Sequence, residues 1–225
     1  MGVLAMRIHH FLSRSRANGP GCRAVVWVQG CSLHCPGCYN SATHLVDGGH
    51  KVTVGSLVRR IVALGDSIEG VTVSGGEPLD QSAALVALLM GLRIAPHLSV
   101  LLFTGYTWEE VCARPEGEAI LSHVDVLLAG RYEAAQRLAR SLCGSSNKTV
   151  HFLTERYGPA DLSHLPAAEA VVSPEGVVVL TGIDPPRWLT IAVAERGAKQ
   201  GCEAMVLTER VDHANGANQS KPKSE

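Results

Sequence analysis

Three cysteines lie close together early in the chain, within the sequence Cys31-Ser32-Leu33-His34-Cys35-Pro36-Gly37-Cys38-Tyr39-Asn40. Thiols spaced C-x3-C-x2-C converge on one point only where the backbone turns around it, and Pro36-Gly37 supplies such a turn. Structural zinc usually takes four protein ligands, and iron-sulfur clusters are usually held by four thiolates. The three cysteines therefore predict a loop that holds a soft metal and leaves one coordination position open for chemistry.

A second motif, Ser74-Gly75-Gly76-Glu77-Pro78, follows a short apolar segment. Two glycines let a backbone approach a ligand closely, and Glu77 adds a fixed carboxylate beside exposed amide groups. The alternative is a plain strand-to-helix turn with Glu77 near the helix start. Both motifs follow predicted buried strands, and the carboxyl ends of parallel strands form the active-site edge of α/β folds. We therefore prefer the functional interpretation.

The elements that position these motifs alternate between strand and helix. Predicted helices cover residues 54–64 and 81–94, and predicted strands cover residues 24–28, 70–73, 98–103, 124–128 and 149–153. This alternation favours a parallel sheet with right-handed crossovers. A complete barrel of eight units needs about 250 residues, whereas five or six units fit this length. The sequence thus predicts an α/β fold, a partial (βα)5-6 TIM-like barrel with an open side.

Beyond residue 153 the pattern changes. A hairpin is predicted from residues 170–172 and 177–180 around Ser173-Pro174-Glu175-Gly176, and a late helix at residues 191–198. With 225 residues and 46% hydrophobic content, the chain is most simply one domain. We expect a single domain over residues 1–211, with a core at 8–153 and a carboxyl-terminal extension at 154–211. The polar residues 212–225 are predicted to be a disordered tail.

Charge and cysteine usage limit the partners and the compartment. The formal net charge of -1 gives no basic excess, so neither nucleic acid nor a membrane is an expected partner. No apolar run reaches the roughly 20 residues of a bilayer span, and no signal peptide is evident, which favours a cytoplasmic protein. The seven cysteines form an odd set. Reduced thiols with a metal site fit better than a disulfide framework, and Cys22, Cys112, Cys143 and Cys202 are expected to be small core residues.

The two motifs together resemble the radical S-adenosylmethionine enzymes. Within that superfamily, Asn18-Gly19-Pro20-Gly21-Cys22-Arg23, Gly30-Cys31, Cys38-Tyr39-Asn40 and Ser74–Pro78 are similar to the glycyl-radical-enzyme activases. Thr104-Gly105-Tyr106-Thr107, Asp125-Val126-Leu127 and Gly144-Ser145-Ser146-Asn147 extend the similarity to the activases of anaerobic ribonucleotide reductase. The resemblance covers about residues 8 to 153. It departs from the family at Lys148-Thr149, where Gln-Arg is usual, and in the added carboxyl-terminal third.

The resemblance implies a cofactor set and a reaction. Cys31, Cys35 and Cys38 would hold three irons of a 4Fe-4S cluster, and the fourth iron would chelate S-adenosylmethionine. Reductive cleavage would give methionine and a 5'-deoxyadenosyl radical, which abstracts hydrogen from a partner protein to install a glycyl radical. The implied partners are a glycyl radical enzyme and an electron donor such as flavodoxin or ferredoxin.

Further residues become candidate cofactor contacts under the same resemblance. Gly75-Gly76-Glu77 would receive the cationic methionyl amino group, and Tyr39 would pack beside the cluster and near the adenine. Asn147 and Lys148 are candidates for the carboxylate or ribose of S-adenosylmethionine. His34 is expected to be a solvent-facing spacer in the cysteine loop.

Two other functions stay open from the sequence. In the first, a radical S-adenosylmethionine enzyme modifies a peptide, nucleotide or small metabolite instead of a glycyl radical enzyme. In the second, the loop is a non-catalytic zinc or iron-sulfur site with Cys22 as the fourth ligand. Cys22 stands at the opposite end of the strand at residues 24–28, about 20 Å or more from the loop at about 3.3 Å per residue, which argues against this site.

Overall fold

The computed structural model describes residues 4–140, 142–172, 178–183 and 204–206. Twelve strands fall in these ranges: β1 Ala5–Ser15, β2 Arg23–Val28, β3 His50–Thr53, β4 Gly70–Gly75, β5 Ser99–Phe103, β6 Val126–Ala129, β7 Arg137–Arg140, β8 Cys143–Ser145, β9 Thr149–Phe152, β10 Ala168–Val172, β11 Val178–Gly182 and β12 Ala204–Val206. The predicted strands at residues 24–28, 70–73, 98–103, 124–128 and 149–153 are all found, within two residues at each end.

Five α-helices accompany the strands in the same ranges: α1 Val54–Val62, α2 Ser82–Leu92, α3 Trp108–Cys112, α4 Gly117–Leu121 and α5 Pro159–Ser163. Short 3₁₀ helices span Ser41–Thr43, Gly65–Ser67, Pro78–Gln81 and Ala134–Gln136. None of the helices in the described part of the chain combines the length and apolar character that crossing a bilayer requires.

Seven strands form the main sheet in the order β3-β1-β2-β4-β5-β6-β9. The four neighbours β2, β4, β5 and β6 are parallel, whereas β1 is antiparallel to β2 and β9 is antiparallel to β6. The described chain thus has fewer parallel βα units than the five or six predicted. β9 follows β6 through the β7–β8 hairpin and not through a crossover helix, so it can return antiparallel.

Helices α1 and α2 cover one face of the sheet. Thr53 caps α1 by accepting a hydrogen bond from the Ser56 amide (3.2 Å), and the apolar side of α1 is buried. The helices pack on alternate residues of β2, namely Ala24, Val26 and Val28. The other residues of β2, Val25 and Trp27, are buried on the opposite face. β2 is therefore covered on both sides, as its continuous apolar sequence predicts.

Two separate units cover the face of the sheet that lies opposite the helices. Near β6, Leu101, Val126 and Leu128 pack against Leu142, Cys143 and Leu162 from the β7–β8 hairpin and α5. Near β2, a smaller cluster of Leu12, Val25 and Trp27 packs against Val179 of β11. This second unit belongs to the predicted hairpin, whose strands β10 and β11 pair antiparallel from Ala168↔Gly182 to Val172↔Val178.

Several sequence expectations differ from the structure. Residues 131–140 carry three arginines, which indicate an exposed helix or loop, but the structure has a 3₁₀ turn and strand β7 there, and β7 pairs with β8. β1 was not predicted because its register shifts between Ile8 and His10, which breaks the alternation of buried side chains. Cys143 is buried, but Cys112 is exposed. Four predictions concern residues outside the described ranges. They are the turn at 173–176, the helix at 191–198, Cys202 and the tail at 212–225.

Candidate active site

The carboxyl ends of the parallel strands are joined by backbone hydrogen bonds into one surface. The Gly76 amide donates to Val28 O (2.9 Å) and the Glu77 amide to Gly30 O (2.8 Å), which ties the end of β4 to the end of β2. The Thr104 amide donates to Leu128 O (2.9 Å), tying the end of β5 to β6. The cysteine loop and the Gly-Gly-Glu motif therefore meet at the predicted edge of the sheet.

The cysteine loop starts directly after β2. The Cys31 amide donates to His44 O (3.2 Å), and the Cys38 amide donates to Cys35 O (3.2 Å) within the turn at Pro36-Gly37. Asp80 fastens the start of the loop, because its carboxylate accepts from the Ser32 amide (2.7 Å) and the Ser32 hydroxyl (3.0 Å). His34 is exposed, as predicted, with its ring edge-on to His44.

All three cysteines of the loop line one cavity. Cys31 is 7% exposed, and burial raises the pKa of the Cys31 and Cys38 thiols. The Asn40 amide donates to Cys38 Sγ (3.4 Å), a contact that favours a thiolate. In the described residues no three His, Cys, Asp or Glu side chains already stand in metal-ligand geometry. The three soft donors nonetheless share one cavity, a donor set that fits an iron-sulfur cluster with one open position.

Cys22 is separated from that cavity by the full length of β2. Its amide donates to Glu69 Oε1 (3.0 Å), just before β4 at the amino end of the sheet. A zinc site completed by Cys22 would need this end and the opposite end of β2 to meet. The structure therefore argues against the four-cysteine alternative.

Gly75 and Gly76 line the cavity and also sit against the chain's own backbone. Gly75 has φ +103°, and a Cβ at this position would lie 2.5 Å from Val28 N. A Cβ on Gly76 would lie 2.1 Å from Gly30 O. The glycines are thus required for close packing of β4 against the end of β2, in addition to any approach of a ligand.

Glu77 is 1% exposed and joins the ends of two strands. Its Oε1 accepts from the Thr104 hydroxyl (2.8 Å) and the Leu79 amide (2.9 Å), and its Oε2 accepts from the Gly105 amide (2.7 Å). Burial raises the pKa of this carboxyl to about 7, although the three hydrogen bonds oppose the rise. Glu77 therefore caps the Pro78–Gln81 turn, as the alternative interpretation held, and also lines the cavity.

The remaining predicted cofactor contacts divide into two groups. Tyr39 and Lys148 line the cavity, whereas Asn147 is not among its lining residues in the described chain. The Asn147 side-chain amide donates instead to Arg131 O (2.9 Å) and Glu133 Oε1 (3.1 Å), which holds the β7–β8 region. The Lys148 ammonium donates to Gly130 O, and burial lowers its pKa. The Tyr39 ring contacts the Tyr132 ring edge-on, with centroids 5.0 Å apart.

Comparison with known proteins gives matches over the core of the chain. A family described as the 4Fe-4S single cluster domain matches residues 17–151. The anaerobic ribonucleoside-triphosphate reductase-activating protein of Vibrio cholerae is 31% identical over 156 residues, covering 66% of this chain and 99% of the relative. The chain belongs to this family of activating proteins. The resemblance predicted from the cysteine motif is thereby confirmed.

Two further relatives support the assignment. The reductase-activating protein of Enterobacteria phage T4 is 34% identical over 137 residues, covering 59% of this chain and 85% of the relative. The pyruvate formate-lyase-activating enzyme of Clostridium pasteurianum is 32% identical over 126 residues, covering 54% of this chain and 50% of that enzyme. Membership of the family carries the predicted cofactors, a 4Fe-4S cluster and S-adenosylmethionine.

Several residues that line this cavity were not identified from the sequence. They are Ala17, Trp27, His44, Phe103, Tyr132 and Leu142, together with Thr181, Gly182 and Ile183. Phe103 ends β5 and Trp27 is the residue before the end of β2, so their position at the carboxyl ends of strands was a usable signal. The others come from hairpins and loops, whose return to the sheet no local pattern predicts.

Proposed function

We propose that this chain activates a glycyl radical enzyme of the anaerobic ribonucleotide reductase type. Cys31, Cys35 and Cys38 would bind a 4Fe-4S cluster, and the cavity that they line would bind S-adenosylmethionine. The chemistry that these groups supply when bound is one-electron cleavage of a sulfonium bond, giving methionine and a 5'-deoxyadenosyl radical that can abstract hydrogen. The observation that carries the proposal is the meeting of the three thiols with Glu77 and Lys148 around one cavity.

The charged residues of the cavity suit the two ends of the amino acid part of S-adenosylmethionine. The Glu77 carboxyl would hold the amino group, because a nearby cation favours its ionised form over the protonated form that burial favours. The half-buried Lys148 ammonium would hold the carboxylate. Tyr39, packed against Tyr132, would exclude water beside the cysteine loop. Asn147 would act through the β7–β8 region, since its amide is engaged there.

The proposal extends to the organisation of the chain. We infer a single domain over residues 1–211, with a core at 8–153 folded as a partial barrel with an open side and an extension from residue 154. Contacts between Glu169 and residues 15–17 support one domain. The proposed electron donor is a flavodoxin or ferredoxin, and the proposed compartment is the cytoplasm. Six free cysteines among the described residues fit a reducing environment.

Anaerobic reconstitution with iron and sulfide tests the proposal. The reduced protein should convert S-adenosylmethionine to 5'-deoxyadenosine and methionine, and its paramagnetic spectrum should change when S-adenosylmethionine is added. Cys31→Ala, Cys35→Ala and Cys38→Ala should each abolish turnover. Cys112→Ala, which changes an exposed cysteine outside the cavity, is the matched control and should retain it.

The partner is tested by adding an anaerobic ribonucleotide reductase and recording its electron paramagnetic resonance spectrum for a glycyl radical. Cleavage of S-adenosylmethionine without a radical on the reductase would favour a peptide, nucleotide or small metabolite as substrate. If stoichiometric zinc binds, and neither cluster nor 5'-deoxyadenosine forms, the catalytic proposal is wrong.

A further inference from the structure

The carboxyl-terminal extension reaches the cavity although the family match ends at residue 151. Val179 of β11 packs on Leu12, Val25 and Trp27, on the face of the sheet that the helices leave uncovered. Three consecutive residues after this contact, Thr181, Gly182 and Ile183, line the same cavity as the cysteines. One side of the site is therefore built from residues outside the part that defines the family.

A carboxylate fixes the extension to the loop after β1. Glu169 Oε2 accepts from the Arg16 amide (2.6 Å), the Ala17 amide (2.8 Å) and the Ser15 hydroxyl (3.2 Å). Successive backbone amides that converge on one oxygen form an anion-binding nest, and here the anion is a side chain of the extension. This contact joins β10 to the loop after β1, and Ala17 and Asn18 of that loop line the cavity.

A second contact lies at the cavity itself. The Asn18 side-chain amide donates to Thr181 Oγ1 (2.9 Å), and both residues line the cavity. Thr181 is 1% exposed. The chain beyond it is held by the Ile183 amide, which donates to Ala167 O (3.0 Å). Gly182 has φ +125°, and a Cβ there would lie 2.3 Å from the same carbonyl oxygen. These contacts fix the end of β11 in position. They also fix the backbone of Ile183, which lines the cavity.

We propose that strands β10 and β11, together with Ile183, form a wall of the S-adenosylmethionine pocket in this chain and that Thr181, Gly182 and Ile183 contact the bound molecule. The inference rests on the proposed function, since it takes the cavity to be the S-adenosylmethionine site. The wall adds binding contacts and excludes water on the side where β1 and β2 would otherwise leave the pocket open. It makes the extension a determinant of how tightly and how selectively the site binds.

The first test fills the pocket from the wall. Ile183→Trp should weaken binding of S-adenosylmethionine to the cluster-loaded protein at least tenfold, measured by calorimetry, because the larger ring takes up space in the cavity. Val172→Trp is the matched control, since Val172 lies in the same hairpin, is 64% exposed and does not line the cavity. Its affinity should stay within twofold of the original chain.

The second test releases the wall. Glu169→Ala should accelerate hydrogen exchange of the amides at residues 16, 17 and 179–182 in the protein without cofactors, and should weaken S-adenosylmethionine binding several-fold in the loaded protein. Glu155→Ala, a change of an exposed glutamate near the start of the extension, should do neither. Circular dichroism checks that each variant keeps its fold. Should Ile183→Trp not fold, Glu169→Ala still decides the question.

The outcomes separate the two proposals. If Glu169→Ala shows faster exchange at residues 179–182 but unchanged S-adenosylmethionine affinity, the proposal of a wall is wrong. The proposed function still stands in that case, provided that the unaltered chain cleaves S-adenosylmethionine. Unchanged exchange in Glu169→Ala would also overturn the proposal of a wall, because the carboxylate would then not hold the wall. Failure of the original chain to cleave S-adenosylmethionine would instead overturn the function on which the inference rests.

Discussion

The two ends of the parallel strands each bury a charged side chain, but they do so in different ways. At the amino end, Arg23 is 0% exposed, and its guanidinium donates to Thr72 Oγ1 (2.9 Å), Pro20 O (3.1 Å), Val71 O (2.9 Å), and Ser99 Oγ and O (2.9 and 3.0 Å). At the carboxyl end, Glu77 is 1% exposed and accepts three hydrogen bonds beside a cavity.

The two buried charges therefore serve different purposes: Arg23 stabilises the fold, whereas Glu77 is available for binding and chemistry. Arg23 fills its donor positions with fixed oxygens from two strands, β4 and β5, and from Pro20, so it anchors the loop at residues 18–21 to the sheet. Glu77 faces a cavity and carries a pKa displaced to about 7, so a cation in the cavity would change its charge state. In open α/β sheets, ligands bind beyond the carboxyl ends of the parallel strands.

The largest effect is expected at Arg23. Arg23→Leu should lower the free energy of unfolding by about 3–5 kcal/mol, because it leaves several buried oxygens without a donor. Arg23→Lys should restore only part of this loss, since an ammonium cannot span the same set of oxygens. Urea denaturation measures both. A loss below about 1 kcal/mol for Arg23→Leu would contradict the view of the amino end as a stabilising end.

The second effect is a pH dependence at Glu77. The unfolded carboxyl ionises near 4.5, but the folded one stays protonated up to about 7. The folded state therefore binds more protons in this window, and stability falls as pH rises from about 4.5 to 7. At about 1.4 kcal/mol per pH unit the loss approaches 3 kcal/mol.

Urea denaturation of the chain without cofactors, at a series of pH values, measures this loss. Glu77→Gln should flatten the pH dependence of the free energy of unfolding. It should also reduce S-adenosylmethionine turnover, while leaving the free energy of unfolding at low pH nearly unchanged. If Glu77→Gln leaves turnover intact, the carboxylate is purely a cap of the Pro78–Gln81 turn.

A smaller effect is expected at Lys148, also at the carboxyl end. Lys148→Met should weaken S-adenosylmethionine binding about tenfold, equal to about 1.4 kcal/mol, while changing stability little, because burial already disfavours the ammonium. Calorimetry of the loaded protein measures the affinity. Thr149→Ser, a change at the next and exposed position, is the control and should bind as the original chain does.

The smallest effect returns to the amino end. Asp125 accepts from the Val100 amide (2.7 Å) and the Thr154 hydroxyl (2.7 Å), joining β5 and β6 to the segment after β9. Asp125→Asn should cost about 1 kcal/mol, because its amide group can replace only part of the acceptor capacity. Thermal or urea unfolding measures the change, and S-adenosylmethionine turnover per folded molecule should not move.

The sequence predicts structure well where a feature depends only on residues that are close together in the chain. The three-residue spacing of Thr107 and Glu110 predicts a capping box, and the box is present, with the Glu110 carboxylate accepting from the Thr107 amide (2.8 Å). The Glu110 carboxylate also pairs with Arg131 at 2.6 Å, although the arginines of residues 131–140 by themselves indicate only a solvated face. The cap depends on residues three apart, but the ion pair depends on two strands becoming neighbours.

The sequence by itself determined the three-cysteine loop, the strands that carry the two motifs and the membership of a 4Fe-4S family. Each of these depends on residues adjacent in the chain or on apolar runs that must be buried. Only the tertiary structure decided that Gly75 and Gly76 accommodate β2, that the Asn147 side-chain amide is bound outside the cavity lining and that Thr181 and Ile183 line the cavity. These facts follow from contacts between distant segments, such as Glu169 with residues 15–17, whose pairing leaves no periodicity in the sequence.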